Sequence, residues 1–327
     1  MIPLAQSPST RCSDPKLAKL GLMRPEIHHL TPDERTLFTT WCTRTSQSIA
    51  HDENSRHLWG KIIAREALQC PAVFNSILAL SALQLACSSA HNPTSQRWLD
   101  TAQTYWNLAE MGFTKASSQS RSTSGLLLFV QSITRLILPF AQSQLRQTTN
   151  SISALEGICE LFRQMRGPDH RSSHLVDACH YDPLSPLVAP DPSSPGMPFT
   201  AALAILGLKQ LNSDVPHRPT RAIYNETIDH LNSCLAYTKC STDPGLPGLS
   251  WILRVPSAYL DLVQSRDTLA LIILAHYCVV MFHARGRWWM GDWGALVLQA
   301  IASTIGRDHL ASIGWVIDAT GIVIGGI

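Results

Sequence analysis

The chain has 327 residues, of which 45% are hydrophobic, so it has enough apolar material for a large core and too much for an intrinsically disordered protein. Charged residues make up 15% of the chain and the formal net charge is +2, which argues against a general nucleic-acid-binding protein with a strongly basic face. So little charge favours either self-association as a homodimer or a large internal pocket.

The first predicted element is a loosely ordered leader, residues 1–30, which is rich in proline, serine and threonine. A helix is predicted to begin at Thr31-Pro32-Asp33-Glu34, where a threonine cap precedes a proline and two acidic residues. Helix-period patterns continue from there to the end of the chain, and no segment alternates convincingly at the period of a strand. The predicted helices are Asp33–Ser48, His57–Gln69, Ala72–Ser88, Thr94–Ser117, Gly125–Gln142, Ser151–Met165, Phe199–Asn212, Arg221–Thr238, Trp251–Val263 with a break at Pro256, Thr268–Phe282 and Trp293–Ile305.

Residues 167–199 contain many prolines and are predicted to form an irregular loop. The remaining pattern predicts an all-α protein, with one domain over residues 31–327 and about ten helices around an apolar pocket. The tail that begins at Trp315 is apolar and rich in glycine, and no helix is predicted there.

Two further patterns concern the compartment of the protein. The longest apolar runs, Gly125–Ala141 and Leu269–Met281, contain polar residues or are short, whereas a membrane-spanning helix needs about 20 apolar residues. The N-terminus lacks the apolar core of a secretory signal. We therefore expect an intracellular, cytoplasmic protein with no membrane span.

The nine cysteines contain no C-x-x-C pair, which argues against common zinc fingers and a disulfide framework. Most are predicted to be small buried residues, and Cys70, Cys87 and Cys278 fit that interpretation best.

A distinctive motif lies at Ala270–Trp293, which reads ALIILAHYCVVMFHARGRWWMGDW. It resembles the regulatory domain of fungal binuclear-zinc-cluster transcription factors, in particular the sterol-uptake regulator group. The matching residues are Ala270, Leu271, Ile273, Leu274, Ala275, His276, Tyr277, Trp288, Trp289, Gly291 (displaced by one), Trp293 and Trp315. Weaker similarity at Ser76–Ala86, Trp98–Ala109 and Trp251–Val263 extends the resemblance over about residues 30–327.

The resemblance implies an all-helical fold that binds an apolar polycyclic ligand in an internal pocket. DNA-binding members of the family carry six cysteines in two closely spaced clusters near the N-terminus. This chain has only Cys12 before Cys42, so DNA binding is not carried over, and no nucleic-acid partner is expected.

The aromatic and histidine side chains of the motif have two interpretations. His276, Tyr277 and His283 either orient a ligand in an apolar cavity or form part of the structural signature of the motif. Trp288, Trp289 and Trp293 are either the walls of a ligand site or a bulky plug that closes the turn.

Polar residues also interrupt the apolar helices. A buried polar group needs a partner, so each of these side chains either pairs with a neighbouring helix or points into a cavity where it meets a ligand. The residues concerned are Ser81, Gln84, Gln131, Ser132 and Arg135.

One group has spacing that resembles a metal site: His170, His174, Asp177, Cys179 and His180. It lies in the proline-rich segment without a supporting signature. We therefore expect no metal and no cofactor.

Two functional hypotheses follow. The first is a cofactor-free biosynthetic enzyme that cyclises or isomerises a terpenoid or polyketide, for example by a Diels–Alder closure, in an apolar pocket that holds one folded conformer of the substrate. Its catalytic donors would be His276, Tyr277 and Gln131. Its binding residues would be Trp288, Trp289, Trp293, His283, Gln84, Ser81 and Ser132.

The second hypothesis is a transcriptional regulator or co-regulator without DNA binding, which responds to a sterol-like ligand and resides in the nucleus. A truncated gene product without a separate function is a third alternative.

For the enzyme of the first hypothesis, the pocket is expected to be lined by the His276 helix, the Trp288–Trp293 turn and the helix around Gln131.

Overall fold

Every regular element in the described part of the chain is helical, which confirms the all-α prediction. The structure, a computed structural model, describes residues 30–50, 53–89, 93–119, 125–146, 154–166, 197–236, 248–249 and 251–324. Its α-helices are α1 (Pro32–Thr40), α2 (Ser46–Ile49), α3 (Glu53–His57), α4 (Ile63–Ala67), α5 (Pro71–Ser88), α6 (Thr94–Gln119), α7 (Gly125–Arg146), α8 (Ala154–Arg166), α9 (Phe199–Ser213), α10 (Arg218–Leu235), α11 (Trp251–Arg254), α12 (Ser257–Gln264), α13 (Thr268–His283), α14 (Trp293–Ile305) and α15 (Gly314–Thr320).

The predicted start of α1 is confirmed in atomic detail. The backbone N–H of Thr31 donates to the carboxylate of Glu34 at 2.8 Å, and the N–H of Glu34 donates to the Thr31 hydroxyl at 3.2 Å. This reciprocal pair is a capping box, which satisfies backbone donors that the first helical turn leaves free.

The first two predicted helices are interrupted by wider turns that the sequence pattern did not indicate. A π-helical segment, Trp41–Thr45, lies between α1 and α2, and a second, Leu58–Ile62, lies between α3 and α4. The indole N–H of Trp41 donates to the carbonyl of Trp59 at 3.2 Å. The two segments therefore meet through a buried hydrogen bond as well as through packed rings.

Two helices that are apolar on nearly every side form the centre of the fold, since a helix of this kind is stable only when other helices surround it. α5 packs against α1, α6 and α7, and α13 packs against α9, α10, α12, α14 and α15. One hydrophobic core runs from Leu37 to Val316 and includes both centres.

Two of the described helices are long and apolar enough to span a membrane, Pro71–Ser88 and Gly125–Leu145. A bent pair, α12 and α13, would add a third such segment if taken as one span. The expectation that no stretch is long and apolar enough to be a membrane-spanning helix is therefore wrong. In the fold, 67% and 83% of the residues in an apolar 18-residue stretch of each of these two helices are buried, so most of their apolar surface packs inside the protein.

Some details of the sequence prediction differ from the structure. The tail contains a helix, α15, which follows a 3-10 helix at Arg307–Ile313. On α6, Ala102, Ala109 and Phe113 are buried, whereas Met111 is 70% exposed, because it lies about 200° around the helix from Ala109.

The cysteines in the described residues are free thiols. Cys278 is buried as predicted, together with Cys42, Cys159 and Cys234, whereas Cys70 and Cys87 are only partly buried. The predicted leader, apart from Leu30, and residues 167–196 of the predicted proline-rich loop lie outside the described residues. α9 begins at Phe199, as the sequence predicts.

Candidate functional site

A groove of about 640 Å³ lies between α9 and α15 and is open to solvent on one side. One wall is α9, the other is formed by the 3-10 helix and α15, and His276 of α13 lies at the base. We call it the α9–α15 groove. It is lined by Thr200, Leu203, Ala204, Gly207, Leu208, Gln210, Leu211, His276, Ala311, Ser312, Trp315 and Asp318.

The helix that carries His276 is fixed at its start by a partly buried polar network. The carboxylate of Asp267 accepts hydrogen bonds from the backbone N–H groups of Leu269 and Ala270, at 3.0 and 3.1 Å. The hydroxyl of Tyr224, on α10, donates to the same carboxylate at 2.5 Å. A neighbouring helix therefore holds the N-terminal cap of α13, which sets the position of the groove base.

His276 is buried, with 2% of its surface exposed. Its Nδ1 lies 2.8 Å from the backbone carbonyl oxygen of Ile272, and its ring stacks on that of Trp315, with 5.6 Å between centroids and 17° between planes. Burial lowers the pKa of His276 from 6.5 to about 4, since a charged imidazolium is poorly solvated there. The imidazole is therefore neutral at cellular pH.

Tyr277, the next residue along α13, points away from the groove. Its hydroxyl donates to the carbonyl of Leu249 at 3.2 Å, and its ring stacks on Trp251 with 4.3 Å between centroids. The Trp251 indole in turn donates to the carbonyl of Thr227 at 3.1 Å. Tyr277 thus belongs to an aromatic cluster in the core, because successive residues of a helix point about 100° apart.

The tryptophan turn lies between α2 and α7. The Trp288 indole donates to the Ser48 hydroxyl at 3.0 Å, and the Trp293 indole donates to the Ser143 hydroxyl at 2.9 Å. Trp289 packs on the ring of Phe140 at 6.0 Å. All three rings therefore help to join helices distant in sequence, which supports the interpretation of the turn as a plug.

Gln131 and its neighbours pair between helices. The Gln131 amide donates to the carboxylate of Glu110, on α6, at 3.2 Å, and the Arg135 guanidinium donates to both oxygens of that carboxylate, at 3.2 and 2.7 Å. The Ser132 hydroxyl donates to the carbonyl of Leu128 in its own helix. These side chains follow the first of the two sequence alternatives, in which a polar group pairs within the fold.

Gln84 also pairs within the fold. Its amide oxygen accepts from the Thr45 hydroxyl at 2.7 Å, and its amide nitrogen donates to the Ser48 hydroxyl at 3.2 Å. The hydroxyl of Ser81 is buried with no hydrogen-bond partner among the described residues. His283 is half-buried, and desolvation followed by the charge of Arg285 lowers its pKa.

Arg287, which is not among the residues predicted from the sequence, has a structural role. Its guanidinium is buried and donates to the carbonyl of Ile49 at 2.9 Å, at the C-terminal end of α2. A cation at a helix C-terminus satisfies carbonyls that have no partner within the helix and interacts favourably with the helix dipole. The sequence feature that could have indicated this role is an arginine that lies among the apolar and aromatic residues of the Ala270–Trp293 motif.

Of the predicted site residues, the α9–α15 groove includes His276 alone. The Trp288–Trp293 turn and the helix around Gln131 do not line this groove, so the pocket lining expected from the sequence stays a prediction. The walls of the groove come mainly from α9 and α15, where no site was predicted from the sequence.

No cluster of three or more histidine, cysteine, aspartate or glutamate side chains with metal-site geometry occurs among the described residues. The candidate cluster His170, His174, Asp177, Cys179 and His180 lies outside them.

The comparison with protein families gives one finding. Residues 36–185 match the model described as the fungal specific transcription factor domain, which confirms the resemblance to fungal transcription factors over that part of the chain. The match runs from within α1 to beyond α8, and the α9–α15 groove follows it in the chain. No curated protein and no solved structure matches this chain.

Proposed function

We propose that this chain acts as a ligand-sensing regulatory domain of the fungal transcription factor type, and that an apolar small molecule binds in the α9–α15 groove. The observation that carries the proposal is the groove itself, whose 640 Å³ falls in the range of roughly 300–1,000 Å³ typical of ligand sites. Leucines and Trp315 supply apolar surface, and the lining also includes the polar side chains of Thr200, Gln210, His276, Ser312 and Asp318. The family match supports a regulatory role.

A ligand in this groove would contact three helices that reach different parts of the fold. α9 is tied to α10 by Asn212, whose amide donates to the Asn225 side chain at 2.7 Å. α10 is tied to α13 by the hydrogen bond from Tyr224 to Asp267. A ligand that bridges α9 and α15 would favour one arrangement of these helices over others. A partner protein that binds one arrangement more tightly would then respond to the ligand. In this role we expect the protein in the nucleus.

The positions of the predicted catalytic residues do not support the cyclase hypothesis to the same extent. Its three catalytic donors lie in different environments: His276 at the groove base, Tyr277 against the Leu249 carbonyl, and Gln131 against Glu110. A shared substrate would have to reach all three. The enzymatic hypothesis stays a prediction.

The proposal predicts that Gly207→Leu blocks the groove without unfolding the protein. A Cβ atom at Gly207 would meet nothing within 4 Å, so a leucine side chain can extend into the groove. Leucine is also favoured over glycine inside a helix by roughly 0.5–1 kcal/mol. We expect the affinity for the apolar fluorophore Nile red to fall at least tenfold, measured by fluorescence titration, while the melting temperature stays the same or rises.

Gly207→Ala is the matched control, because its gain in helix propensity is at least as large but it fills little of the groove. The full chain fused to a heterologous DNA-binding domain provides the functional measurement in a fungal host. Reporter transcription should change several-fold with Gly207→Leu and stay near the wild-type level with Gly207→Ala. If both variants matched the wild type in binding and transcription, the groove would have no role in sensing.

A further inference from the structure

Two opposite faces of α9 are largely apolar. The inner face packs against α10, α13 and α15, and its residues are all buried: Ala201, Ile205, Leu208 and Asn212. The residues of the outer face are Phe199, Leu203, Leu206 and Gln210, and all of them are exposed. Each outer residue precedes an inner residue by two positions, so the two faces lie about 200° apart around the helix.

The outer α9 face exposes large apolar side chains to solvent. Phe199 is 75% exposed, Leu206 is 61% exposed and Leu203 is 49% exposed. A helix that is apolar on opposite sides is typical of a protein interior, where both sides are covered. The exposed parts of these three side chains provide about 300–400 Å² of apolar surface, and a contiguous patch of this size often marks an interaction site.

The charge of α9 indicates which partner fits this face. Lys209 is the one charged residue within Phe199–Ser213. It lies beside the outer face, and its ammonium nitrogen is 2.8 Å from the carboxylate of Asp229 on α10. In a dimer with two-fold symmetry the same patch meets itself, so a charged patch would bring like charges together. The outer α9 face is neutral, and the Gln210 amide at its end both donates and accepts hydrogen bonds. The face is therefore complementary to a second copy of itself.

We propose that the outer α9 face is the contact surface of a homodimer, in which α9 of one copy packs against α9 of a second copy. Protein interfaces are about 60% apolar, so the exposed apolar area supports roughly 500–700 Å² of interface on each copy. A standard interface buries about 800 Å² on each partner. We therefore expect a reversible dimer with a dissociation constant on the order of 1–10 μM.

This surface can be tested apart from ligand binding, because Phe199 and Leu206 do not line the α9–α15 groove. Sedimentation velocity of the full-length protein without ligand, from about 0.1 to 100 μM, should show the wild type changing from monomer to dimer. Leu206→Glu places a carboxylate from each copy in the contact. It should raise the dissociation constant at least tenfold. The melting temperature of the variant, measured at low concentration, should stay near that of the wild type, since most of the Leu206 side chain is already in solvent.

Leu296→Glu is the matched control. Leu296 is an exposed leucine on α14, 38% exposed, so the substitution adds the same charge away from the outer α9 face. Its dissociation constant should stay near that of the wild type. Phe199→Glu, at the first residue of α9, is a second variant in the contact and should weaken the dimer as Leu206→Glu does.

The outcomes decide the proposal without reference to the ligand. A wild type that stays monomeric up to about 100 μM would overturn it, because the outer α9 face would then serve a different protein. A dimer that resists both Leu206→Glu and Phe199→Glu, or that Leu296→Glu weakens equally, would also overturn it. Nile red binding should be unchanged in Leu206→Glu, so failure of the dimer leaves the proposed ligand site untouched.

Discussion

Trp251→Ala is expected to lower the free energy of unfolding by about 3–5 kcal/mol, the range for removal of a large buried aromatic side chain. Trp251 is fully buried, stacks on Tyr277, and packs edge-on against Tyr259 and Phe162. Its loss leaves a cavity where α8, α10, α12 and α13 meet. Urea denaturation followed by circular dichroism measures the change.

Trp98→Ala is the matched control, because Trp98 is only partly buried and interacts with the exposed Arg97. It should cost far less than Trp251→Ala. A loss below about 1 kcal/mol for Trp251→Ala would show that the aromatic cluster around Tyr277 contributes little to the stability of the core.

Acidification is expected to destabilise the protein through His276. The pKa of this residue is 6.5 in the unfolded chain and about 4 in the folded protein, so the unfolded state binds the proton more readily between these values. The stability contributed by the neutral, buried ring is present above pH 6.5 and is lost as the pH falls toward 4. The shift corresponds to about 3 kcal/mol.

His276→Gln isolates this contribution. Urea denaturation at neutral pH and near pH 4.5 should give a large loss of stability for the wild type and a loss smaller by about 2–3 kcal/mol for the variant. Burial also lowers the pKa of His230 and His283, so part of the acid sensitivity remains in the variant. Equal losses for the two proteins would mean that His276 is protonated in the folded state or accessible to water.

The helices could be predicted well because their apolar positions repeat at helical spacing. The boundaries of α14 agree with the prediction to the residue, and α13 shows its central position by being apolar on every side. The π-helical segments could not be predicted in this way, since they depend on contacts between residues distant in the chain. The contact between Trp41 and Trp59 is one such case.

The groove could not be predicted from sequence because it depends on which apolar residues remain uncovered. Phe199, Leu203 and Leu206 have helical spacing typical of a core-facing surface, yet they are 75%, 49% and 61% exposed. Gln131 pairs with Glu110, a residue on another helix that the pattern did not single out. His276 and Tyr277 are adjacent in the motif, but the fold sends one to the groove and the other into the core.

The most direct test of ligand binding in the α9–α15 groove is photolabelling of the full-length protein with a diazirine derivative of decanol. Peptide mass spectrometry then identifies the labelled residues. We expect labels on α9 between residues 200 and 211 and on the opposite wall between residues 311 and 318. Gly207→Leu should reduce this labelling, and excess decanol should compete with it. Labelling concentrated on the Trp288–Trp293 turn or on α7 around Gln131, and unaffected by Gly207→Leu, would contradict ligand binding in the α9–α15 groove. It would instead support the pocket predicted from the sequence motif.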